Sequence, residues 1–125
     1  MKQKPFTLKD RLSSFTHAIN GILILLREEH NSRIHLVALV SVVIAGLVFG
    51  ISTYEWIAVI MVSGLVLSLE AVNSAMENLL DYVSPEWHEK VKKIKDVIAG
   101  AVLIASATAL ITGVVIFLPR IVALF

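Results

Sequence analysis

Residues 56–81 read WIAVIMVSGLVLSLEAVNSAMENLLD. The stretch begins as a membrane helix and ends as a line of acids and amides. Its first 14 residues, Trp56 to Leu69, carry no charge. At 1.5 Å per residue they cover about 21 Å of a hydrocarbon core roughly 30 Å thick. A helix starting at Trp56 therefore crosses only by continuing through Glu70, Asn73 and Glu77, which places those groups at the membrane edge or just inside it. Each residue of a helix turns 100°, so Glu70, Glu77 and Asp81 fall within about 20° of one line. Asn73 and Ser74 flank that line, while Val72, Met76, Leu79 and Leu80 mostly take other sides. The polar stripe is nearly three turns long.

Two further spans surround this helix. Residues 36–51, LVALVSVVIAGLVFGI, are uncharged, and with Ile34 and His35 they make 18 residues, the lower limit for a spanning helix. Residues 97–118 give 22 uncharged residues between KKIKD and PR. The chain has 125 residues and is 57% hydrophobic, against the 45–50% or so usual in soluble domains. The expected fold is therefore one all-α membrane domain with spans at 34–51, 56–81 and 97–118, and no room for a separate soluble domain. The chain has no cysteine, which excludes a disulfide framework, an iron–sulfur cluster and a thiol nucleophile. The net charge of +1 points to no partner, and no nucleic-acid partner is expected. The opening MKQKPFTLKDRLSSF does not read as a secretory signal, because its charges run on without an early apolar core.

Residues 7–30 form a different kind of helix. Thr7 is the expected N-cap, with Asp10 three residues on. Leu8, Leu12, Phe15, Ile19, Ile22 and Leu26 step by four and three along one stripe, and Lys9, Arg11, Ser13, His17 and Asn20 lie off it. This pattern suits a helix lying in the membrane interface; a packing helix on the aqueous side is the alternative. Six of the 11 Lys and Arg residues precede the first span (Lys2, Lys4, Lys9, Arg11, Arg27 and Arg33). The STYE loop, residues 52–55, has none, the next loop has Lys90, Lys92, Lys93 and Lys95, and only Arg120 follows the last span. The positive-inside rule then places the N-terminus and the 82–96 loop in the cytoplasm. Tyr54 and Trp56 are expected as aromatic anchors at the outer interface.

Three acids stacked on one helix line repel one another, and an unpaired buried carboxylate is costly. The stripe therefore calls for a cation, which could be the 90–95 lysine cluster or a divalent ion. Carboxylate and amide oxygens suit Mg²⁺, which usually takes one or two protein carboxylates and leaves the rest to phosphate oxygens and water. Glu28 or Glu29, in REEHN, could approach the same edge. Solvation or lysine pairing would explain any one of these acids alone; the set, partly at membrane depth, points to function. Phosphoryl transfer from a nucleotide fits acids, lysine and magnesium at one membrane edge, although no GxxxxGK[ST] or protein-kinase motif is present.

These residues resemble a known family. EAVNSAMENLLD, residues 70–81, is similar to the E-x-x-N-[ST]-A-x-E-x-x-x-D signature of the small bacterial integral-membrane diacylglycerol kinases and the related undecaprenol kinases. SPEWH and KDVIAGAVLIA follow at the family's spacing. EHNSRIH, residues 29–35, is similar to the family's E-x-N-x-R-x-H at the start of the first span. The resemblance implies a homotrimer with sites shared between neighbouring subunits in the bacterial inner membrane. It also implies ATP as phosphoryl donor and Mg²⁺ as metal. Glu70 would be the general base for the lipid hydroxyl, and Glu29 and Glu77 would hold magnesium. Asn73 and Asp81 would belong to the same polar cluster. Lys95 would contact the phosphates with Asp96 beside it, and Glu86 and His88 would lie near the nucleotide's sugar and base. Diacylglycerol leads as the acceptor, with undecaprenol close behind.

Other features stay open at this level. His88 with Glu86 reads as a solvated loop pair but for the resemblance, and His35 reads as a group that positions a headgroup or a neighbouring side chain. Ala99, Gly100, Ala101, Ala105, Ser106 and Ala107 would let helices approach closely, in a trimer core or in ordinary span packing. A small proton-coupled transporter is the competing class, but its acids belong at the midplane. A non-catalytic assembly factor gives no reason for a carboxylate line.

Overall fold

The computed structural model describes residues 3–125; Lys2, counted among the N-terminal cations, lies outside them. Four helices follow in order: α1 (Leu8–Glu28), α2 (His30–Phe49), α3 (Thr53–Val83) and α4 (Glu89–Val122). No strand occurs among the described residues. The last three helices are long and apolar enough to cross a membrane. At 1.5 Å per residue, the 31 residues of α3 and 34 of α4 extend about 46 and 51 Å, so both project beyond a hydrocarbon core roughly 30 Å thick.

Helix α1 starts where the cap chemistry directs it: Thr7 Oγ1 accepts from the Asp10 N–H at 3.2 Å. It buries no residue, and Leu8, Leu12, Phe15, Ile19 and Ile22 are all exposed along one stripe. An apolar stripe left open beside three spans is the form of an interfacial helix. Only Leu25 and Leu26, in the last turns, are half-buried. The chain then breaks at a single residue. Glu29 is extended (φ −104°, ψ 112°) and serves as C-cap of α1 and N-cap of α2. The Arg33 guanidinium donates to the Arg27 carbonyl at 2.8 Å, satisfying one of the carbonyls that a helix end leaves unpaired.

Antiparallel packing of α2, α3 and α4 follows from side-chain pairs at defined levels. Glu29 meets Ser74, His35 meets Glu70, and Gly46 meets Trp56 between α2 and α3. Glu55 meets Arg120 and Asp81 meets Lys95 between α3 and α4. The buried apolar cluster, Ile51, Val59, Ile116 and Phe117, lies toward the Arg120 end, with the Phe49 and Phe117 rings 6.2 Å apart. Within a bilayer such clusters hold by close packing, since lipid tails are as apolar as the side chains. Helices α2 and α4 diverge over α3 and leave an apolar groove of about 440 Å³, lined by residues such as Leu39, Val66, Ala109 and Phe117, with His35 among its few polar walls.

The turn between α2 and α3 is tighter than a four-residue loop. Gly50 takes the left-handed C-cap conformation (φ 64°), which glycine adopts without a Cβ penalty. Ser52 and Glu55 form a reciprocal capping box, so STYE supplies the cap and first turn of α3. Tyr54 is exposed, as an anchor would be, but the Trp56 ring turns inward against Gly46. At the other end α4 begins at Glu89, because His88 Nδ1 accepts from the Lys90 N–H at 3.1 Å. Most of the 82–96 stretch is therefore helix, and the loop shrinks to residues 84–88. Pro119 is accommodated in the last turn of α4.

Candidate active site at the acidic end

Glu70 is the buried acid of α3, with its side chain 6% exposed. Its Oε1 lies 2.9 Å from Nε2 of His35, on the facing helix α2. A carboxylate this enclosed requires a partner, and the imidazole is one. One turn further along α3, Ser74 donates its hydroxyl to Glu29 Oε1 at 2.8 Å. The break at residue 29 thus has a consequence at the site: it frees Glu29 from both helices and lets its side chain reach α3. Glu77, one turn beyond Ser74, is half-buried. Asn73 lies between these groups, and its buried Oδ1 has no hydrogen-bond partner. Ser32, fully buried on α2 between Glu29 and His35, also leaves its Oγ unpartnered. Buried polar atoms seldom remain so, and here one lies on α2 and the other on α3, each within three residues of Glu29, His35 or Glu70 in the chain.

Asp81, nearest the helix end, is exposed and accepts from Lys95 Nζ at 2.6 Å. Lys95 is thereby tethered above the acid line by a contact that water can readily compete for. Asp96 is turned away: it accepts from Lys92 at 2.6 Å, one helix turn earlier on α4. Glu86 and His88 are exposed in the connecting loop, and the His88 ring is occupied as the N-cap of α4. The structure therefore joins Glu29 to Ser74 and His35 to Glu70 between α2 and α3, joins Asp81 to Lys95 between α3 and α4, leaves Asn73 and Glu77 half-buried on α3 without a hydrogen-bond partner for the Asn73 oxygen, and leaves Glu86, His88 and Asp96 exposed.

No cluster of three or more His, Cys, Asp or Glu side chains close enough to hold a metal ion occurs among the described residues. The donors present are nonetheless hard oxygens from two helices, and the Asn73 amide oxygen is unpartnered. That set fits Mg²⁺, which takes one or two carboxylates and completes its shell with phosphate oxygens and water.

Two links in this site were not evident from the linear order. By helical spacing Ser74 only flanks the acid line, yet it is the side chain that donates to Glu29. The pairing of His35 with Glu70 becomes visible only once α2 and α3 are set antiparallel. The signal available was the reversed order: Glu29 precedes His35 on one side and Ser74 follows Glu70 on the other, as an antiparallel pairing requires.

Fold and site together define a three-span helical membrane protein with an oxygen-rich polar seam at one end of its bundle. The sequence profile of the prokaryotic diacylglycerol kinases matches residues 16–117. An undecaprenol kinase of Bacillus subtilis is 36% identical over 107 residues, 86% of this chain and 87% of the relative. A diacylglycerol kinase of Synechocystis is 34% identical over 90% of this chain and 65% of its own length. A diacylglycerol kinase of Sinorhizobium is 34% identical over 51% of this chain and 47% of its own. The chain belongs to the prokaryotic diacylglycerol kinase family, and it is a membrane lipid kinase.

Proposed function

We propose that the chain transfers the γ-phosphoryl group of ATP to the hydroxyl of a membrane lipid at the seam between α2 and α3. One observation carries this reading: Glu70 is enclosed within the bundle while Glu77 and Asp81 continue its line toward water. Glu70 lies 14 residues from Trp56, about 21 Å along the helix and inside a 30 Å core; Glu77, seven residues on, reaches its edge. A lipid hydroxyl and a water-soluble triphosphate can meet only at such a boundary.

The roles follow from position. Glu70 takes the proton of the lipid hydroxyl as its oxygen bonds to the γ-phosphorus. The bond from that phosphorus to the β–γ bridging oxygen breaks, ADP leaves, and the proton is later released to water. Glu29 and Glu77 would hold magnesium, with Asn73 offering its amide oxygen. The metal, when bound, offsets the charge that spreads over the transferring group. Lys95 leaves Asp81 to meet the phosphates. Asp96, Glu86 and His88 are near enough along the chain to line the approach of the nucleotide. Lysine and arginine distribution supports a cytoplasmic N-terminus and acidic end in a bacterial inner membrane. A homotrimer would cover part of the apolar surface that a single chain exposes on all three spans.

Undecaprenol is the acceptor supported by the Bacillus subtilis relative, which this chain matches along 87% of its length. Diacylglycerol is the second reading, supported by the family match and by the two other relatives. The test uses the full chain in vesicles with Mg²⁺ and ATP labelled at the γ-phosphate, offering each lipid alone and both together. Labelled polyprenyl phosphate in excess over phosphatidic acid is the expected result. Preferential labelling of phosphatidic acid would reverse the order, and no labelled lipid from either would overturn the proposed reaction.

A further inference from the structure

We infer that His35 is the positioning residue of the active site, holding the Glu70 carboxylate in the one orientation that leaves an oxygen free for the acceptor's proton. This rests on the reading of Glu70 as the general base. The two side chains come from different helices, with Nε2 and Oε1 2.9 Å apart. The carboxylate is 6% exposed and the imidazole 26%, so Glu70 has little water to orient it, and His35 is the side chain that touches it. The terminal torsion of a glutamate is broad. Unless something fixes it, the carboxylate samples orientations in which neither oxygen faces the acceptor. The 2.9 Å contact of Nε2 with Oε1 restricts that torsion and leaves Oε2 the oxygen that the imidazole does not engage.

Two further observations make this more than charge compensation. His35 also lines the apolar groove between α2 and α4, so the pair stands where that groove meets the polar seam. The other acids of the line have other partners or water: Glu29 is held by Ser74, and Asp81 by Lys95. Glu70, the one buried acid among the described residues of α3, alone relies on an imidazole from α2.

The test compares His35→Ala, His35→Gln and His35→Asn with the wild type in vesicles, measuring kcat and KM for ATP and lipid. Size exclusion and circular dichroism check folding. A glutamine amide reaches the place of Nε2, whereas an asparagine amide falls short of it. His35→Ala should lower kcat about 10- to 100-fold, the range in which loss of an orienting partner falls, with both KM values unchanged. His35→Gln should restore most of the rate, and His35→Asn should not. The glutamine and asparagine variants are both polar and close in size, so their comparison stands even where the alanine variant fails to fold. Glutamine no better than asparagine would overturn the inference. So would full kcat in His35→Ala while Glu70→Gln is inactive. Wild-type turnover in Glu70→Gln would instead remove the reading of Glu70 on which the inference rests.

Discussion

Arg120 grips Glu55 with two hydrogen bonds of 2.7 Å and donates a third to the Ile116 carbonyl. At the opposite end of the same helix pair, Lys95 reaches Asp81 through a single contact on an exposed acid; Asn73 on α3 and Ser32 on the neighbouring α2 leave buried oxygens unpaired. The Arg120 end is built to stay closed: its polar groups are matched, its turn is capped at both sides, and the apolar cluster lies against it. The acidic end is built with capacity left over. Unpaired hard oxygens and a loosely held lysine are a poor way to stabilise a bundle and a good way to receive a charged ligand. On the proposed reading the same three helices serve as scaffold at one end and site at the other, with the register pairs between them linking the two.

Substitutions can break this contrast, and the largest effect is expected at Glu77. Glu77→Gln removes one of the two carboxylates proposed to hold magnesium and should abolish detectable phosphoryl transfer while the helical circular dichroism spectrum stays unchanged. Glu70→Gln should reduce kcat by about 10²- to 10⁴-fold, the usual worth of a positioned base, with ATP still bound as judged by equilibrium binding. Loss of nucleotide affinity in that variant would argue against the base role.

Changes at the Arg120 end should separate from these. A Cβ on Gly46 would lie 2.6 Å from the Trp56 ring, so Gly46→Leu overpacks the seam and should cost about 1–3 kcal/mol. Thermal unfolding in micelles would register the loss, while kcat per folded molecule remains that of the wild type. Gly50→Ala is the mildest case. Its positive φ makes a Cβ unfavourable by about 1 kcal/mol, visible as a small drop in unfolding temperature and nothing in the kinetics.

The three spans were legible in the sequence because charge is nearly absent from them, and the polar line on α3 because helical geometry is fixed at 100° per residue. Helix limits were less so. STYE was read as a loop because it is short and polar, but a Ser and a Glu three apart also make a capping box, and that local bonding prevailed. The lysine-rich stretch before residue 97 was read as loop because it cannot lie in lipid; it is helical all the same, since lysine is a good helix former and α4 simply extends into water. The acids were legible as a set, and the lysine cluster as a source of partners, whereas the individual pairings were not. His35, Ser74 and Lys95 meet them only across helices, and a linear chain does not state its register.

On this proposal the acidic end, and not the bundle as a whole, performs the transfer. The most direct test is labelled γ-phosphate transfer to lipid in vesicles by Glu77→Gln and by Gly46→Leu, each scored per folded molecule against wild type. The account predicts no labelled lipid from the first and a wild-type yield from the second. Full labelling by Glu77→Gln, or equal loss in both, would contradict it.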